Sequence, residues 1–308
     1  MTTRLYTHPI YLEHITPSGH PERPDRLRAI ARALDDERFD ALDRTEAPEG
    51  DPDTILYAHP EQFRDMVISR IPEEGLARID ADTTASPKSF EAALTAIGAA
   101  NASVDAVFSD EADNVFVAAR PPGHHAEKTT AMGFCLFNTA AIAARYAQRK
   151  YGAERVAIVD WDVHHGNGTQ DIFWDDPTVL YCSTHQMPLY PGTGSRHETG
   201  AGNIVNAPLS PGDGSTRFRE AFTDRIVRSL NEIRPDLIII SAGFDAHHRD
   251  PLAQIELAAD DFDWATGQLM DCADRYCNNR IVSLLEGGYD LQGLAESCAA
   301  HVGRLMKG

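Results

Sequence analysis

The sequence has no excess of basic residues and no long apolar segment. Its 28 lysines and arginines are outnumbered by 47 aspartates and glutamates, which gives a formal net charge of -19. Nucleic acids and anionic membranes bind proteins through basic surfaces, so we expect neither as a partner. The longest strongly apolar run, residues 237–244, is too short to span a bilayer. Because the N-terminus also lacks the apolar core of a signal peptide, we expect a cytoplasmic protein.

Paired cysteines and several common catalytic motifs are also missing. The five cysteines form no CxxC pair, and this spacing predicts reduced thiols. The chain has no GxGxxG after its first strand, no GxxxxGK[ST] phosphate loop and no GxSxG nucleophile elbow. These absences argue against a dinucleotide-binding enzyme, a phosphate-loop enzyme and a serine hydrolase.

Short β-branched runs alternate with alanine-rich helical stretches along the whole chain. Predicted strands cover residues 4–7, 114–119, 155–160, 178–183, 203–206, 236–241 and 280–285. Predicted helices cover residues 89–108, 138–151, 218–233 and 257–277, the last broken once. Strands that are apolar on both faces and separated by helices predict a mostly parallel sheet covered on each side. We therefore expect one doubly wound α/β domain over residues 1–308.

Polar clusters follow four of these predicted strands directly. The clusters are His124 with His125, Asp160 with Asp162 and His164, Asp245, and Tyr289. Ligands bind at the carboxyl ends of strands in open parallel sheets, so we expect the clusters to share one site.

The second cluster indicates a metal site. In extended backbone, Asp160, Asp162 and His164 would project to one side, and neighbouring carboxylates repel unless a cation or proton lies between them. Asp162 and His164 together with Asp245 would supply three ligands and leave a position open for water, as catalytic zinc sites do. Ferrous iron accepts the same ligand types.

The remaining clusters carry side chains that can exchange protons. Tandem histidines are commonly surface or core residues, but His124 and His125 follow a stiff PPG segment at the expected site. Asp160 and Asn167 are the partners that would orient their rings. Tyr289, after two glycines, could stabilise an oxyanion or simply pack over the turn.

Several further residues have two interpretations. Phe134 and Tyr190, beside turn glycines, could line a substrate channel or belong to the core. His247 and His248 suggest a second metal, but such a site would normally contain more carboxylates, so we expect them to be rim residues. His165 has no chemical role in this scheme and is expected to be structural.

Six linked motifs resemble the histone deacetylase superfamily, which includes class II-like deacetylases and bacterial acetylpolyamine amidohydrolases. They are RPPGHHAE, GFCLFN, VDWDVHHGNGTQ, PGTG, SAGFDAHHRDPL and LEGGYD, and the resemblance runs from HPERPDRL to LEGGYDL. It implies the arginase–deacetylase fold, an eight-stranded parallel sheet flanked by helices. Asn167 and Glu286 resemble the class II and bacterial branches.

The resemblance also implies a role for each site residue. Asp162, His164 and Asp245 would bind zinc, with ferrous iron as an alternative. His125 would be the general base and acid with Asn167 as its partner, His124 with Asp160 would help electrostatically, and Tyr289 would hold the oxyanion. The implied substrate channel contains Gly133, Phe134, Tyr190, Gly288 and Asp82. A structural potassium site would use Asp160, Asp162, His164, Ser183 and Thr184, and a second would lie near Phe173, Asp176, Val179 and Asn203.

The implied activity is zinc-dependent removal of acetyl or other acyl groups from lysine side chains or related amines. An acetylpolyamine amidohydrolase is the first alternative, although the short stretch 81–88 shows no dimer-forming insertion. A two-manganese ureohydrolase and a non-catalytic acyl-binding module are more distant, because the chain carries Asp-x-Asp-x-His and an intact catalytic set. The physiological substrate and a homo-oligomeric state stay open.

Overall fold

Eight parallel strands form the main sheet of the computed structural model, which describes residues 1–307. In spatial order they are β2 (Asp43–Glu46), β1 (Thr3–Thr7), β5 (Asn114–Val117), β10 (Ile281–Leu285), β9 (Leu237–Ala242), β6 (Val156–Asp160), β7 (Val179–Gln186) and β8 (Ile204–Leu209). Strands β5, β6, β7, β9 and β10 are buried along their whole length, which explains their continuous apolar character. The predicted parallel α/β fold is confirmed.

The strand order places the four polar clusters next to one another. Strands β5, β10, β9 and β6 are consecutive neighbours, with Ile281 paired to both Asn114 and Ile238. One of the polar clusters lies at or shortly after the end of each of these strands. Parallel strands end at the same edge, so the four clusters converge although up to about 165 residues separate them in the chain.

Helices pack against the sheet in two groups. The α-helices are α1 (Asp25–Ala33), α2 (Glu61–Ser69), α3 (Ser89–Phe108), α4 (Thr139–Tyr151), α5 (Asn167–Ile172), α6 (Ser215–Ala221), α7 (Arg228–Ile233), α8 (Ala259–Tyr276) and α9 (Leu291–Leu305). Helices α3 and α4 pack together and contact the central strands, whereas α9 packs against α1 and α8. None of the helices among residues 1–307 is long and apolar enough to cross a membrane.

The structure differs from the sequence-based elements in several places. Strand β2 was not predicted, because its sequence DRTE is polar and it lies at the sheet edge. Helix α8 is continuous, so the predicted break is wrong. Helices α6 and α7 are joined by the π-helical segment Phe222–Val227. A small antiparallel hairpin, β3 (Ala77–Arg78) and β4 (Thr84–Ala85), was also missed, and its connecting loop carries Asp82.

Candidate active site

Three buried side chains form the centre of the site. Ligand atoms of Asp162, His164 and Asp245 all lie within 4.8 Å of one another. The Nδ1 atom of His164 is 3.2 Å from Oδ1 of Asp162 and 3.1 Å from Oδ2 of Asp245. Ligands about 2.0 Å from a tetrahedral zinc ion lie roughly 3.3 Å apart, so this spacing fits a shared metal ion. Among the described residues, this is the one His, Cys, Asp and Glu cluster with metal-binding spacing.

Backbone donors fix the two carboxylates of this cluster. Asp162 accepts hydrogen bonds from the amides of His164 at 2.9 Å and Gly287 at 2.8 Å, while Asp245 accepts one from Val163 at 2.8 Å. A Cβ atom at Gly287 would overlap both carboxylates, so only glycine fits this close approach. Strand β6 ends at Asp160, so the extended-strand explanation for 162 and 164 is wrong. These hydrogen bonds hold Asp162 and His164 on the turn beyond strand β6.

The charge balance of the cluster indicates that it needs a cation. Burial, reinforced by the charge of Asp162, raises the pKa of Asp245 to about 7. Burial would lower the pKa of His164, but Asp162 and Asp245 together raise it to about 10. In the absence of a metal, Asp245 and His164 therefore tend to retain protons, which compensate the negative charge of the cluster. A divalent ion bound there would compensate the same charge.

His124 pairs with a buried carboxylate. Its Nδ1 atom is 3.0 Å from Oδ2 of Asp160, an oxygen that also accepts a hydrogen bond from the Tyr181 hydroxyl at 3.0 Å. Burial alone would lower the pKa of His124, but the charges of Asp162 and Asp160 raise it well above its usual value. His124 is therefore expected to carry a positive charge.

His125 pairs with an amide instead. Its Nδ1 atom is 2.8 Å from Oδ1 of Asn167, whose Nδ2 donates to Glu127 at 2.7 Å. Because the amide oxygen can only accept, Nδ1 of His125 carries the proton and Nε2 has a free lone pair. Burial and the positive charges of His124 and His164 hold the pKa of His125 well below its usual value.

Tyr289 is half-buried on a loop that is held from two sides. Its backbone amide donates to Oδ2 of Asp250 at 2.6 Å. The buried Arg26 donates to the carbonyl oxygens of Gly288, at 2.7 Å, and Glu286, and its guanidinium lies 5.0 Å from the Tyr289 ring centroid. Burial raises the pKa of the Tyr289 phenol well above its usual value, so the hydroxyl keeps its proton and can donate.

A cavity of about 150 Å³ opens onto these groups. Its lining residues are Asp82, His125, Gly133, Phe134, His164, Tyr190, Leu252 and Tyr289. Gly133 (φ 57°) and Phe134 (φ 67°) both adopt left-handed backbone, and a Cβ at Gly133 would overlap the His125 ring. The Phe134 ring lies at 6.0 Å from that of Tyr289, and Tyr190 lies at 5.2 Å from His125. Aromatic rings thus form the walls of a narrow pocket.

The hairpin loop between β3 and β4 supports one wall of this cavity. Oδ1 of Asp82 accepts a hydrogen bond from the Gly133 amide at 2.9 Å, and Oγ1 of Thr83 accepts one from the Phe134 amide at 3.0 Å. These bonds fix the left-handed turn that presents the Phe134 ring. Gly288, in contrast, lies under Phe244 and Leu294 and is absent from the cavity lining.

The other histidines lie outside the cavity. His165 is buried, with Nδ1 2.7 Å from Thr193 Oγ1 and Nε2 3.1 Å from Gln170 Oε1, as expected of a structural residue. His247 stacks on the exposed His248, with ring centroids 4.3 Å apart, and neither joins a metal-binding cluster among residues 1–307.

Three of the residues predicted to bind structural potassium, Asp160, Ser183 and Thr184, lie on the adjacent strands β6 and β7, whereas Asp162 and His164 lie on the turn after β6. Ser183 is the register partner of Asp160, and its hydroxyl is 2.8 Å from Nδ1 of His185. Thr184 follows it on β7. The structural potassium site stays a prediction.

Sequence reasoning missed several supporting residues. These are Arg26 and Asp250, which hold the Tyr289 loop, Glu127, which orients Asn167, Tyr181, which contacts Asp160, and Leu252 in the cavity wall. Arg26 lies in the HPERPDRL motif, and this motif could have indicated it as a supporting residue. Glu127 lies in RPPGHHAE, and Asp250 and Leu252 lie in SAGFDAHHRDPL, but the motifs do not show which groups these residues contact, and Tyr181 lies outside all of them.

Comparisons with known proteins agree with one another. A family model described as the histone deacetylase domain matches residues 20–305. A probable deacetylase from Archaeoglobus fulgidus is 38% identical over 300 residues, covering 95% of this chain and 83% of that protein. A histone deacetylase-like amidohydrolase from Pseudomonas aeruginosa is 38% identical over 278 residues, covering 88% and 73% respectively. The crystal structure of the HDA15 HD domain superposes with a TM-score of 0.92 at 36% identity, covering 99% of this chain and 91% of that one.

Proposed function

This chain belongs to the histone deacetylase family and is a metal-dependent hydrolase, and on that premise we propose that it removes acetyl groups from lysine side chains or related amines by zinc-assisted amide hydrolysis. One observation carries the proposal most directly. His125, Tyr289 and His164 line one cavity of about 150 Å³, and His164 belongs to the buried metal-binding cluster with Asp162 and Asp245.

The metal would be held by Asp162, His164 and Asp245. When bound there, zinc supplies Lewis-acid polarisation of the amide carbonyl and lowers the pKa of an attacking water. His125 is the general base in this proposal, because its Nδ1 proton is committed to Asn167 and Nε2 is free to accept the water proton. The same nitrogen then returns the proton to the leaving amine, which yields acetate and a free amine.

Tyr289 and His124 would stabilise the negative charge that develops during attack. The neutral phenol of Tyr289 can donate a hydrogen bond to the oxyanion, and the loop contacts of Arg26 and Asp250 hold it in place. The positive charge of His124, fixed by Asp160, lies beside His125, with ring centroids 4.0 Å apart. Burial, reinforced by that charge, keeps the His125 pKa low and favours return of the proton to the leaving group.

Replacing Tyr289 with phenylalanine tests the oxyanion role. We expect Tyr289→Phe to retain bound zinc but to lose about 10²- to 10³-fold in kcat, the usual effect of removing one oxyanion donor. Zinc content and thermal stability, measured on the same preparation, control for misfolding. Wild-type turnover in Tyr289→Phe would contradict the assigned role.

The substrate class is tested by comparing kcat/KM for acetyl-lysine peptides, longer acyl-lysines and acetylpolyamines. The narrow aromatic cavity favours a straight alkyl stem with a small acyl group, so we expect acetyl-lysine to exceed longer acyl-lysines by at least about tenfold. Acetylpolyamines are the alternative substrates, and a higher kcat/KM for them would redirect the proposal. No turnover of any amide by the zinc-loaded protein would reject it.

A further inference from the structure

Asn203 lies at the position where the family resemblance implies a second monovalent cation. The residue is buried just before strand β8. Its side-chain nitrogen, Nδ2, is 2.9 Å from the carbonyl oxygen of Phe173, 3.0 Å from that of Asp176 and 2.9 Å from that of Val179. Three carbonyl oxygens therefore converge on one atom of this chain.

These contacts define which way the amide faces. An amide nitrogen carries two hydrogens and donates them, whereas its oxygen only accepts. Rotating the Asn203 amide by half a turn would place Oδ1 against three carbonyl oxygens, with no hydrogen between any of them. Without a cation, only the observed orientation is favourable, although it leaves Oδ1 without a hydrogen-bond partner.

A positively charged side chain also contacts the same loop. The guanidinium of Arg145 pairs with the carboxylate of Asp176 and lies 4.8 Å from the centroid of the Phe173 ring. Asp176 also accepts hydrogen bonds from the amide of Thr178 at 3.0 Å and from its hydroxyl at 2.6 Å. The nearby carboxylate is therefore neutralised by a protein side chain and does not require a bound ion.

We propose that the Asn203 side-chain amide replaces the second monovalent cation, so that this chain holds the loop from Phe173 to Val179 with its own side chain. The residues do not fit the ion as long as Nδ2 fills the space between the carbonyl oxygens. The proposal corrects the second potassium site expected from the resemblance. It concerns a site separate from the zinc cluster and is independent of the catalytic mechanism.

Thallium, a heavy mimic of potassium, tests this in crystals of the intact protein. We expect no anomalous peak among the carbonyl oxygens of Phe173, Asp176 and Val179 in the wild type. Asn203→Asp replaces the donor with a carboxylate, which can only accept hydrogen bonds and is repelled by the three carbonyl oxygens, so it draws back from them and we expect a thallium peak to appear in the space that Nδ2 filled. A thallium peak at this position in the wild type would overturn the proposal. The absence of a peak in both proteins would overturn it as well, because the three carbonyls would then not form a cation pocket that the amide could replace.

Thermal unfolding provides a second readout that does not depend on activity. Replacing choline with potassium in the buffer should raise the Tm of Asn203→Asp more than that of the wild type, because only the variant gains a second potassium site. Asn278→Asp, the same chemical change at an exposed position, is the matched control and should behave like the wild type. Equal potassium responses in all three proteins would overturn the proposal. If Asn203→Asp does not fold, the wild-type thallium map alone decides.

Discussion

His124 and His125 are adjacent in sequence and equally buried, yet their environments drive their pKa values in opposite directions. Their rings lie 4.0 Å apart. His124 faces the carboxylate of Asp160, and its pKa rises despite burial, whereas His125 faces the amide of Asn167, and burial together with nearby positive charge lowers its pKa. The partner, rather than the histidine or its burial, determines the protonation state. In the proposed mechanism, the two tasks of fixed charge and proton transfer are thereby divided between these neighbours.

The largest predicted effect is that of removing His125, the proposed proton-transfer residue. His125→Ala should lower kcat by about 10²- to 10⁴-fold, because the other imidazole that lines the cavity, that of His164, belongs to the metal-binding cluster. Zinc content should be retained, since His125 is not among the three ligand residues. His248→Ala, an exposed histidine, is the control and should keep wild-type turnover. Turnover of His125→Ala within tenfold of the wild type would contradict the division of tasks.

The next prediction concerns a variant in which His125, like His124, faces a carboxylate. Asn167→Asp places a carboxylate against His125, and combining it with Glu127→Gln keeps one donor and one acceptor across the 2.7 Å contact between the two residues. The added charge raises the pKa of His125, which must be neutral to act as a base. The acidic limb of the kcat profile should therefore move upward by on the order of one pH unit.

Activity of the double variant should consequently fall at pH values below the shifted limb and recover as the pH rises through it. Glu127→Gln alone leaves the amide partner of His125 in place and serves as the control. An unchanged acidic limb in the double variant would show that His125 does not control the profile.

A third histidine extends the comparison to the metal site. Without metal, the pKa of His164 is raised to about 10 and that of Asp245 to about 7, so at pH 8 the imidazole still holds a proton that zinc must displace. Zinc binding at pH 8 should release about one proton and should become tighter as the pH rises. Calorimetry in buffers of different ionisation enthalpy measures this release. Zinc binding at pH 8 with no released proton would contradict these pKa directions.

The smallest predicted effect concerns the cavity wall beside His125. Tyr190→Phe removes one hydroxyl but keeps the ring that lies edge-on at 5.2 Å from His125. We expect kcat/KM to change by roughly fivefold or less, since one hydrogen bond contributes about 1 kcal/mol. Leu252→Ala, which removes side-chain bulk from the same cavity, provides a comparison and should alter acyl-chain preference more. A larger loss of kcat/KM in Tyr190→Phe than in Tyr289→Phe would assign the oxyanion role to Tyr190 instead of Tyr289.

Local sequence determined the element types and the chemistry of the site. Continuous apolar runs predicted the buried parallel strands, and the polar residues directly after them predicted where ligands bind. Asp162, His164 and Asp245 were recognised from residue type and from their position after strands. Such signals depend on the neighbouring residues in the chain, so they are readable without a structure.

The tertiary structure decided which strands are neighbours and which groups are paired. The order β5, β10, β9, β6 brings the four clusters together, and strand order depends on burial between segments far apart in the chain. The polar edge strand β2 has no apolar pattern to reveal it. The Asn203 amide, likewise, became distinguishable from a cation ligand only when three distant carbonyl groups were placed around it. Hydrogen-bond direction is a property of atoms in space, and no residue spacing encodes it.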